Sequence, residues 1–167
     1  MASYRLIIGI VVGVILSFFI VHLFYCFFFN MTDILNQIRL YARTNTLQAI
    51  ALLIGANFNF DMINFFTETP TVQGFFAPEL LAWICIGFIS GIIAKSFKRG
   101  VIAGLIIVVI DLLIWILLSI FLGEDLMALF QGNQLIETMG GIFSAILGAI
   151  IGGSIGGAVS GPYEELY

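Results

Sequence analysis

Charged side chains are scarce in this sequence, which has 6 basic and 10 acidic residues among 167. A water-soluble domain carries about 25% charged and roughly 45–50% apolar residues, whereas this chain is 10% charged and 61% hydrophobic. Its mean hydropathy is +1.15. The composition therefore excludes the water-soluble class and predicts an integral membrane protein whose first partner is the lipid bilayer.

Other residue patterns are missing too. No basic stripe is present to neutralise phosphates, so we expect no nucleic acid as a partner. The two cysteines, Cys26 and Cys85, lie in apolar runs without CxxC spacing, and the single histidine is His22. This pattern predicts no metal site, no cofactor and no disulfide framework. Without a nucleophile–base pair, an HExxH or a GxxxxGK[ST] motif, we expect a protein that is not an enzyme.

Four apolar runs are long enough to cross about 30 Å of hydrocarbon, for which a helix needs about 20 residues. Unpaired backbone amides are costly in lipid, so each run is predicted to be helical. The predicted spans are 6–29, 79–97, 101–122 and 139–160. The first exceeds the apolar core of a signal peptide, about 7–15 residues, and is predicted to be a retained anchor. The fold class is therefore all-α, a single membrane domain with a four-transmembrane-helix bundle.

The basic residues predict the orientation of this bundle in the cell membrane. Lys95, Lys98 and Arg99 lie around one tight connection, so the positive-inside rule assigns the turn 98–100 to the cytoplasm. Both termini, including the tail 161–167, are then cytoplasmic. The segments 30–78 and 123–138 are external. Arg5 agrees with this orientation, whereas two arginines of the first external segment, Arg39 and Arg43, oppose it.

The first external segment is predicted to carry one or two short helices. Ile34, Ile38 and Tyr41 recur at helical spacing, which predicts an amphipathic helix over 33–43. A second apolar stretch, Thr46–Ile54, ends at Gly55 and is too short to span a bilayer. We therefore expect an interfacial helix there, lying in the membrane surface or against the bundle.

The rest of this segment is rich in aromatic and amide side chains. Two interpretations stay open: the rings rest at headgroup depth, or they form a surface on which a partner docks. The residues concerned are Phe58, Phe60, Phe65, Phe66, Phe75 and Phe76, with Asn57, Asn59 and Asn64 between them.

The last span contains a four-residue repeat of small residues. One row is Gly140, Ser144, Gly148, Gly152, Gly156 and Ser160, and the row beside it is Gly141, Ala145, Ala149, Gly153, Gly157 and Gly161. In lipid, helices associate through van der Waals packing and close backbone approach, which small residues permit. The repeat therefore predicts a glycine zipper.

Shorter versions of the pattern occur at Gly9 and Gly13 in the first span and at Gly87 and Gly91 in the second. A lone pair of this kind is weak evidence, whereas two unbroken rows are specific. Two interpretations remain: these faces pack within the chain's own bundle, or the last helix packs on another subunit or a second copy of the chain.

Asp111 is the one acidic residue deep inside a predicted span, where it costs roughly 2.5–3.5 kcal/mol on insertion scales. Three interpretations compete: a protonated structural acid bonded within the bundle, a contact to a neighbouring subunit, and a proton or cation relay. His22 is the second intramembrane polar residue. It lies about six residues deeper along the first span than Asp111 lies along the third. At 1.5 Å per residue this offset is roughly 9 Å, which disfavours a direct pair with Asp111.

The leading functional hypothesis is a non-catalytic accessory or scaffold subunit of a larger multi-subunit membrane complex. Close-packing helix faces, a Phe/Asn-rich external surface and the lack of catalytic motifs favour it. The first alternative is a small transporter or pore-forming homo-oligomer with Asp111 as its proton or cation site. The second is a structural membrane protein of a virus or a cell envelope.

Overall fold

The computed structural model describes residues 2–29, 32–67, 76–123 and 131–161, and all regular structure in these residues is helical. The all-α class is therefore confirmed. The predictions for 68–75, 124–130 and the tail 162–167 lie outside the described residues. The helices are α1 (Ala2–Phe29), α2 (Thr32–Thr44), α3 (Thr46–Gly55), a short 3-10 helix (Ala56–Phe58), α4 (Met62–Thr67), α5 (Pro78–Ala94), α6 (Phe97–Leu122) and α7 (Gly132–Val159).

Four segments of the described chain are long and apolar enough to cross a membrane, which supports a multi-pass membrane protein. Three of them, Tyr4–Phe27, Phe97–Leu122 and Gln134–Val159, lie in α1, α6 and α7 and agree with predicted spans. The fourth is Thr46–Thr67, a segment that the sequence predicts as too short to span. It is not one helix, because a 3-10 turn and the residues 59–61 separate α3 from α4.

The predicted second span corresponds to α5, which has 17 residues and a length of about 25 Å. Pro78 occupies its first turn, where the missing N–H is not needed. The helix ends before the predicted residue 97 because Lys95 adopts a left-handed conformation, with φ 52°. Ser96 is extended and α6 already begins at Phe97, so the reversal lies at 95–96 rather than at 98–100.

The predicted external loop 123–138 is shorter in the structure. Gly123, with φ 72°, ends α6, and α7 begins at Gly132 rather than at residue 139. Polar residues such as Gln134 and Glu137 extend this helix by two turns beyond its apolar run. Hydropathy marks the part of a helix that suits hydrocarbon, and it does not mark where the helix begins.

The two central helices of the bundle are α5 and α6, each of which packs against α1, α7 and the other. Helix α3 lies against α6 and α1, and α4 lies against α7. The main core combines large apolar side chains from all of these layers, among them Val21, Ile54, Trp83, Ile86 and Ile107.

The bundle has two ends, which we call the Lys95 end and the α3 end. At the Lys95 end, the Ser160 hydroxyl at the end of α7 lies 3.5 Å from the Gly91 carbonyl oxygen of α5. At the α3 end, the Tyr25 hydroxyl of α1 donates to Oε1 of Glu79 at the start of α5. The basic residues Lys98 and Arg99 belong to the Lys95 end, and the start of α3 lies at the other.

Candidate functional site

A buried polar cluster lies at the centre of the bundle. Ser17 and Asp111 are each completely buried, and each lies within about two residues of the middle of its span, Tyr4–Phe27 or Phe97–Leu122. The Ser17 side chain is a neighbour of the Asp111 carboxyl group. Asp111, the predicted intramembrane acid, is therefore an interior residue. It lies near the midpoint of α6 and close to the midpoint of α1.

The third member of the cluster comes from the turn after α3. Asn57 belongs to the 3-10 helix and is completely buried. Its Nδ2 donates to the Ser17 carbonyl oxygen at 3.2 Å and to Oδ2 of Asp111 at 3.4 Å. The loop between α3 and α4 thus reaches the middle of the two long helices.

Backbone contacts hold this turn in place. The indole Nε1 of Trp83 donates to the Asn57 carbonyl oxygen at 2.9 Å. His22 places Nε2 at 3.3 Å from the Leu53 carbonyl oxygen in the last turn of α3. Backbone polar groups that leave a regular helix inside an apolar region need such partners, because lipid offers none.

Two oxygen atoms of the cluster make no hydrogen bond within the described part of the chain. They are Oδ1 of Asp111 and Oδ1 of Asn57, and both are shielded from solvent. Each is an acceptor when Asp111 is ionised, so the arrangement requires a donor or a positive charge. A single carboxylate balances one positive charge, which fits a proton or a monovalent cation better than a divalent ion that takes six or more oxygen ligands.

Clusters of three or more His, Cys, Asp or Glu that could hold a metal ion do not occur among the described residues. His22 is separate from the acidic site: its contact is with the α3 backbone, and the structure does not pair it with Asp111. This agrees with the offset expected from the two helices.

Aromatic rings close the cluster on the side of the α3 end. The Phe58 ring lies between two indoles, with centroid distances of 5.8 Å to both Trp83 and Trp115. Trp115 is one helical turn beyond Asp111 on α6. Phe58, expected at headgroup depth or on a docking surface, is 5% exposed and belongs to the core. Its neighbour Asn57 was likewise assigned to that surface and is the member of the site that the sequence did not reveal.

Among the other aromatic residues of this segment, some rings contact each other and some are exposed. The ring centroid of Phe65 lies 5.8 Å from that of Phe60 and 5.3 Å from that of Phe66. Phe66 and Phe76 are 58% and 55% exposed. Phe75 lies outside the described residues.

The small residues of α7 face the chain's own helices. A methyl group at Gly153 would lie 2.5 Å from the Gly100 carbonyl oxygen of α6, and one at Gly148 would lie 2.6 Å from Cβ of Trp83. Methyl groups at Gly152 and Gly156 would collide with the backbone of Ile84 and Phe88 in α5. One row therefore faces α5 and the row beside it faces α6.

The remaining small positions follow the same principle. A methyl group at Gly87 or Gly91 would lie 2.6 Å from a carbonyl oxygen of α7, and one at Gly9 would lie 3.0 Å from that of Ser90. Gly13 faces Ile107, and Gly140 faces Asp61. Gly157 faces the Ser96 carbonyl oxygen. The Ser144 hydroxyl donates to the Gly141 carbonyl oxygen in its own helix. All of these contacts lie within or between helices and turns of this chain.

Comparison of the chain with protein-family models, with curated proteins and with solved structures gives no match.

Proposed function

We propose that the chain is a small membrane transporter that binds one proton or one monovalent cation at Asp111. The observation that carries this proposal is the approach of Asn57 to Asp111, which leaves two fully shielded oxygen atoms, Oδ1 of each residue, without a hydrogen-bond donor among the described residues. A proton or a monovalent cation between these atoms would supply the missing positive partner. Intramembrane acids of this kind commonly mark ion and proton pathways.

The cost of the acid supports a functional role. An aspartate at the centre of a span costs roughly 2.5–3.5 kcal/mol on insertion scales. A neutral amide at position 111 could accept the same hydrogen bond from Asn57 Nδ2 at lower cost. Fixing the turn after α3 therefore does not require a carboxyl group, whereas reversible binding of a positive charge does.

The accessory-subunit hypothesis has less support. One of its three grounds was the rows of small residues that would receive a partner's helix, and in the described residues these rows contact α5, α6 and the turn after α3. The Phe/Asn-rich surface and the lack of catalytic motifs remain as its other grounds. The exposed apolar side chains of α1 and α6 fit lipid as well as they fit a partner. A stable stoichiometric complex after purification in mild detergent would favour this hypothesis over transport.

The distribution of basic residues supports the orientation used here. Lys95, Lys98 and Arg99 gather at one end of the bundle, at which Arg5 of α1 also lies. The positive-inside rule then assigns this end, with both termini, to the cytoplasm. Under this assignment α3 begins at the external side, and Asp111 lies between the two faces.

A flux assay in proteoliposomes tests the proposal. Vesicles with a potassium gradient and valinomycin impose a membrane potential, while an internal pH dye reports protons and an internal sodium dye reports Na⁺. We expect uptake of one of these cations by the wild type, and uptake at the level of empty vesicles for Asp111→Asn. Asparagine keeps an acceptor for Asn57 Nδ2 and removes the titratable charge.

Ser90→Ala is the matched control. Ser90 is also a completely buried polar residue, but it lies nearer the Lys95 end and its hydroxyl donates within α5 to the Gly87 carbonyl oxygen at 3.0 Å. We expect wild-type flux for this variant. Flux by the wild type no faster than in empty vesicles, or equal flux by Asp111→Asn, contradicts the proposal.

A further inference from the structure

Two neighbouring cavities lie beside the aromatic cover of the site. Their volumes are about 170 and 220 Å³, and they share Gly55, Asn59 and Trp115 as lining residues. The smaller cavity extends to Phe58, Glu137 and Thr138, and the larger one extends along α3 to Gln48. The smaller cavity lies between the end of α3, α6 and α7, and the larger one lies between α3 and α6, both on the α3 side of Asp111.

These cavities suit water and hydrated ions. Their walls carry polar side chains, namely Gln48, Asn59, Gln134, Glu137 and Thr138. A water molecule occupies roughly 30 Å³ in the liquid and needs two to four polar partners, so each cavity is large enough for several. Trp115, which lines both cavities, follows Asp111 by one helical turn on α6.

The opposite half of the bundle is closely packed near the acid. One turn from Asp111 towards the Lys95 end, Ile107 is completely buried and lies against Gly13 of α1. A methyl group at Gly104, three residues before Ile107, would lie 2.8 Å from the Ala149 carbonyl oxygen. At these two positions α6 is in close contact with α1 and with α7.

We infer that, in the conformation that the structure describes, the proton or cation reaches Asp111 from the α3 end, through these two cavities, and that the Trp115–Phe58 pair is the barrier between them and the acid. Transport then requires a second conformation that opens towards the Lys95 end. This inference rests on the proposed function and adds the direction of access and the residues that control it. The two rings are stacked, with an interplanar angle of 30°. Opening the route requires them to separate, and the large side chain of Trp115 determines how often that occurs.

The barrier also depends on Gly55. A methyl group at this position would lie 3.1 Å from the indole Nε1 of Trp115, closer than ordinary van der Waals contact. Glycine at the end of α3 therefore allows the indole to approach that helix closely. The larger cavity and the smaller one meet at this contact.

Chemical modification of Asp111 tests the direction of access. A water-soluble carbodiimide with glycinamide is added to sealed vesicles of either orientation, and mass spectrometry measures modification of the peptide that contains Asp111. We expect slow modification of the wild type from the α3 side. Modification follows the population of the open form, so Trp115→Ala should increase its rate at least about tenfold from that side.

Ile107→Ala is the matched control, because it shortens a buried side chain one turn from Asp111 in the opposite direction. We expect it to leave the rate unchanged from both sides. Phe58→Leu, which removes the ring from the same barrier, replaces Trp115→Ala if that variant does not fold. Modification of the wild type that is as fast from the Lys95 side as from the α3 side, an equal increase in Ile107→Ala, or no modification of any barrier variant overturns the inference.

The result of the modification experiment can be distinguished from the result of the flux assay. One-sided modification without flux would leave the access route intact and remove the transport proposal. Flux that requires Asp111, combined with equally fast modification from both sides, would keep transport and remove the barrier formed by Trp115 and Phe58.

Discussion

The indole Nε1 of Trp83 donates a 2.9 Å hydrogen bond to the carbonyl oxygen of Asn57, and both residues are completely buried. This bond joins α5 to the turn after α3. It satisfies a backbone group of that turn at a depth where lipid could not, and it fixes the position from which the Asn57 amide reaches Asp111.

The first prediction concerns this bond. Trp83→Phe keeps an aromatic ring beside Phe58 but removes the donor, so the Asn57 carbonyl oxygen becomes a buried acceptor without that partner. We expect the free energy of unfolding in detergent to fall by about 1–3 kcal/mol. Thermal or denaturant unfolding followed by circular dichroism measures this change.

Trp115→Phe serves as the control for that substitution. Trp115 is only partly buried and stacks on Phe58, so phenylalanine retains most of its contact. We expect the smaller loss of stability for this variant. Equal losses for the two tryptophans would mean that ring volume, and not the hydrogen bond, accounts for the effect at Trp83.

The second prediction concerns the contact between α1 and α5 at the α3 end. The Tyr25 hydroxyl donates to Oε1 of Glu79, whose side chain is 5% exposed. Tyr25→Phe removes this donor from a buried carboxyl group and should destabilise the bundle. In a double-mutant cycle with Glu79→Ala, which removes the acceptor, we expect a coupling free energy of about 1 kcal/mol. Additive losses in the two single variants would show that the residues do not interact.

The third prediction concerns the faces of small residues. Gly152→Ala would place a methyl group against the carbonyl oxygen of Ile84, and backbone cannot move aside as a flexible side chain can. We expect α5 and α7 to separate and the free energy of unfolding to fall by about 1–3 kcal/mol. Thermal unfolding in detergent measures it.

Ala158→Leu is the matched control on the same helix, since Ala158 is exposed on the outer surface of α7. Its added atoms enter lipid or detergent, and we expect no loss of stability. A Gly152→Ala variant as stable as the wild type would indicate that the two helices are further apart than the structure has them.

The sequence predicted the helices and the buried acid because both depend on local composition. Hydropathy located α1, α6 and α7, and the single carboxyl group in an apolar run identified Asp111. The sequence did not predict that Asn57 would contact Asp111. The apolar stretch Thr46–Ile54 suits a membrane surface as well as a protein interior, and only tertiary contacts decide between them.

Those contacts come from residues distant in the chain. Gly141 of α7 lies directly against the Phe58 carbonyl group, where any side chain would collide, and Trp83 donates to the Asn57 carbonyl oxygen. The rows of small residues likewise predicted close helix approach without naming the neighbouring helix. A signal for the turn was present nonetheless: Asn57 is an amide inside a segment that is otherwise apolar enough to span a membrane.

The last prediction concerns the path of the segment Thr46–Thr67. Helix α3 has 10 residues and a length of about 15 Å, half the thickness of about 30 Å of hydrocarbon. It ends where Asn57 contacts Ser17 and Asp111, at the middle of two spans. The segment is therefore expected to enter the membrane, turn at the 3-10 helix and return to the face from which it came.

Single cysteines in a variant without Cys26 and Cys85 distinguish this path from a full crossing. We expect cysteines replacing Asn45 and Thr67, both exposed, to react with an impermeant maleimide added to the same side of sealed vesicles. A cysteine replacing Lys98 should react only from the opposite side. If Asn45→Cys and Thr67→Cys instead react from opposite sides, the segment crosses the bilayer, and the chain after the turn that carries Asn57 does not return to the face from which α3 begins.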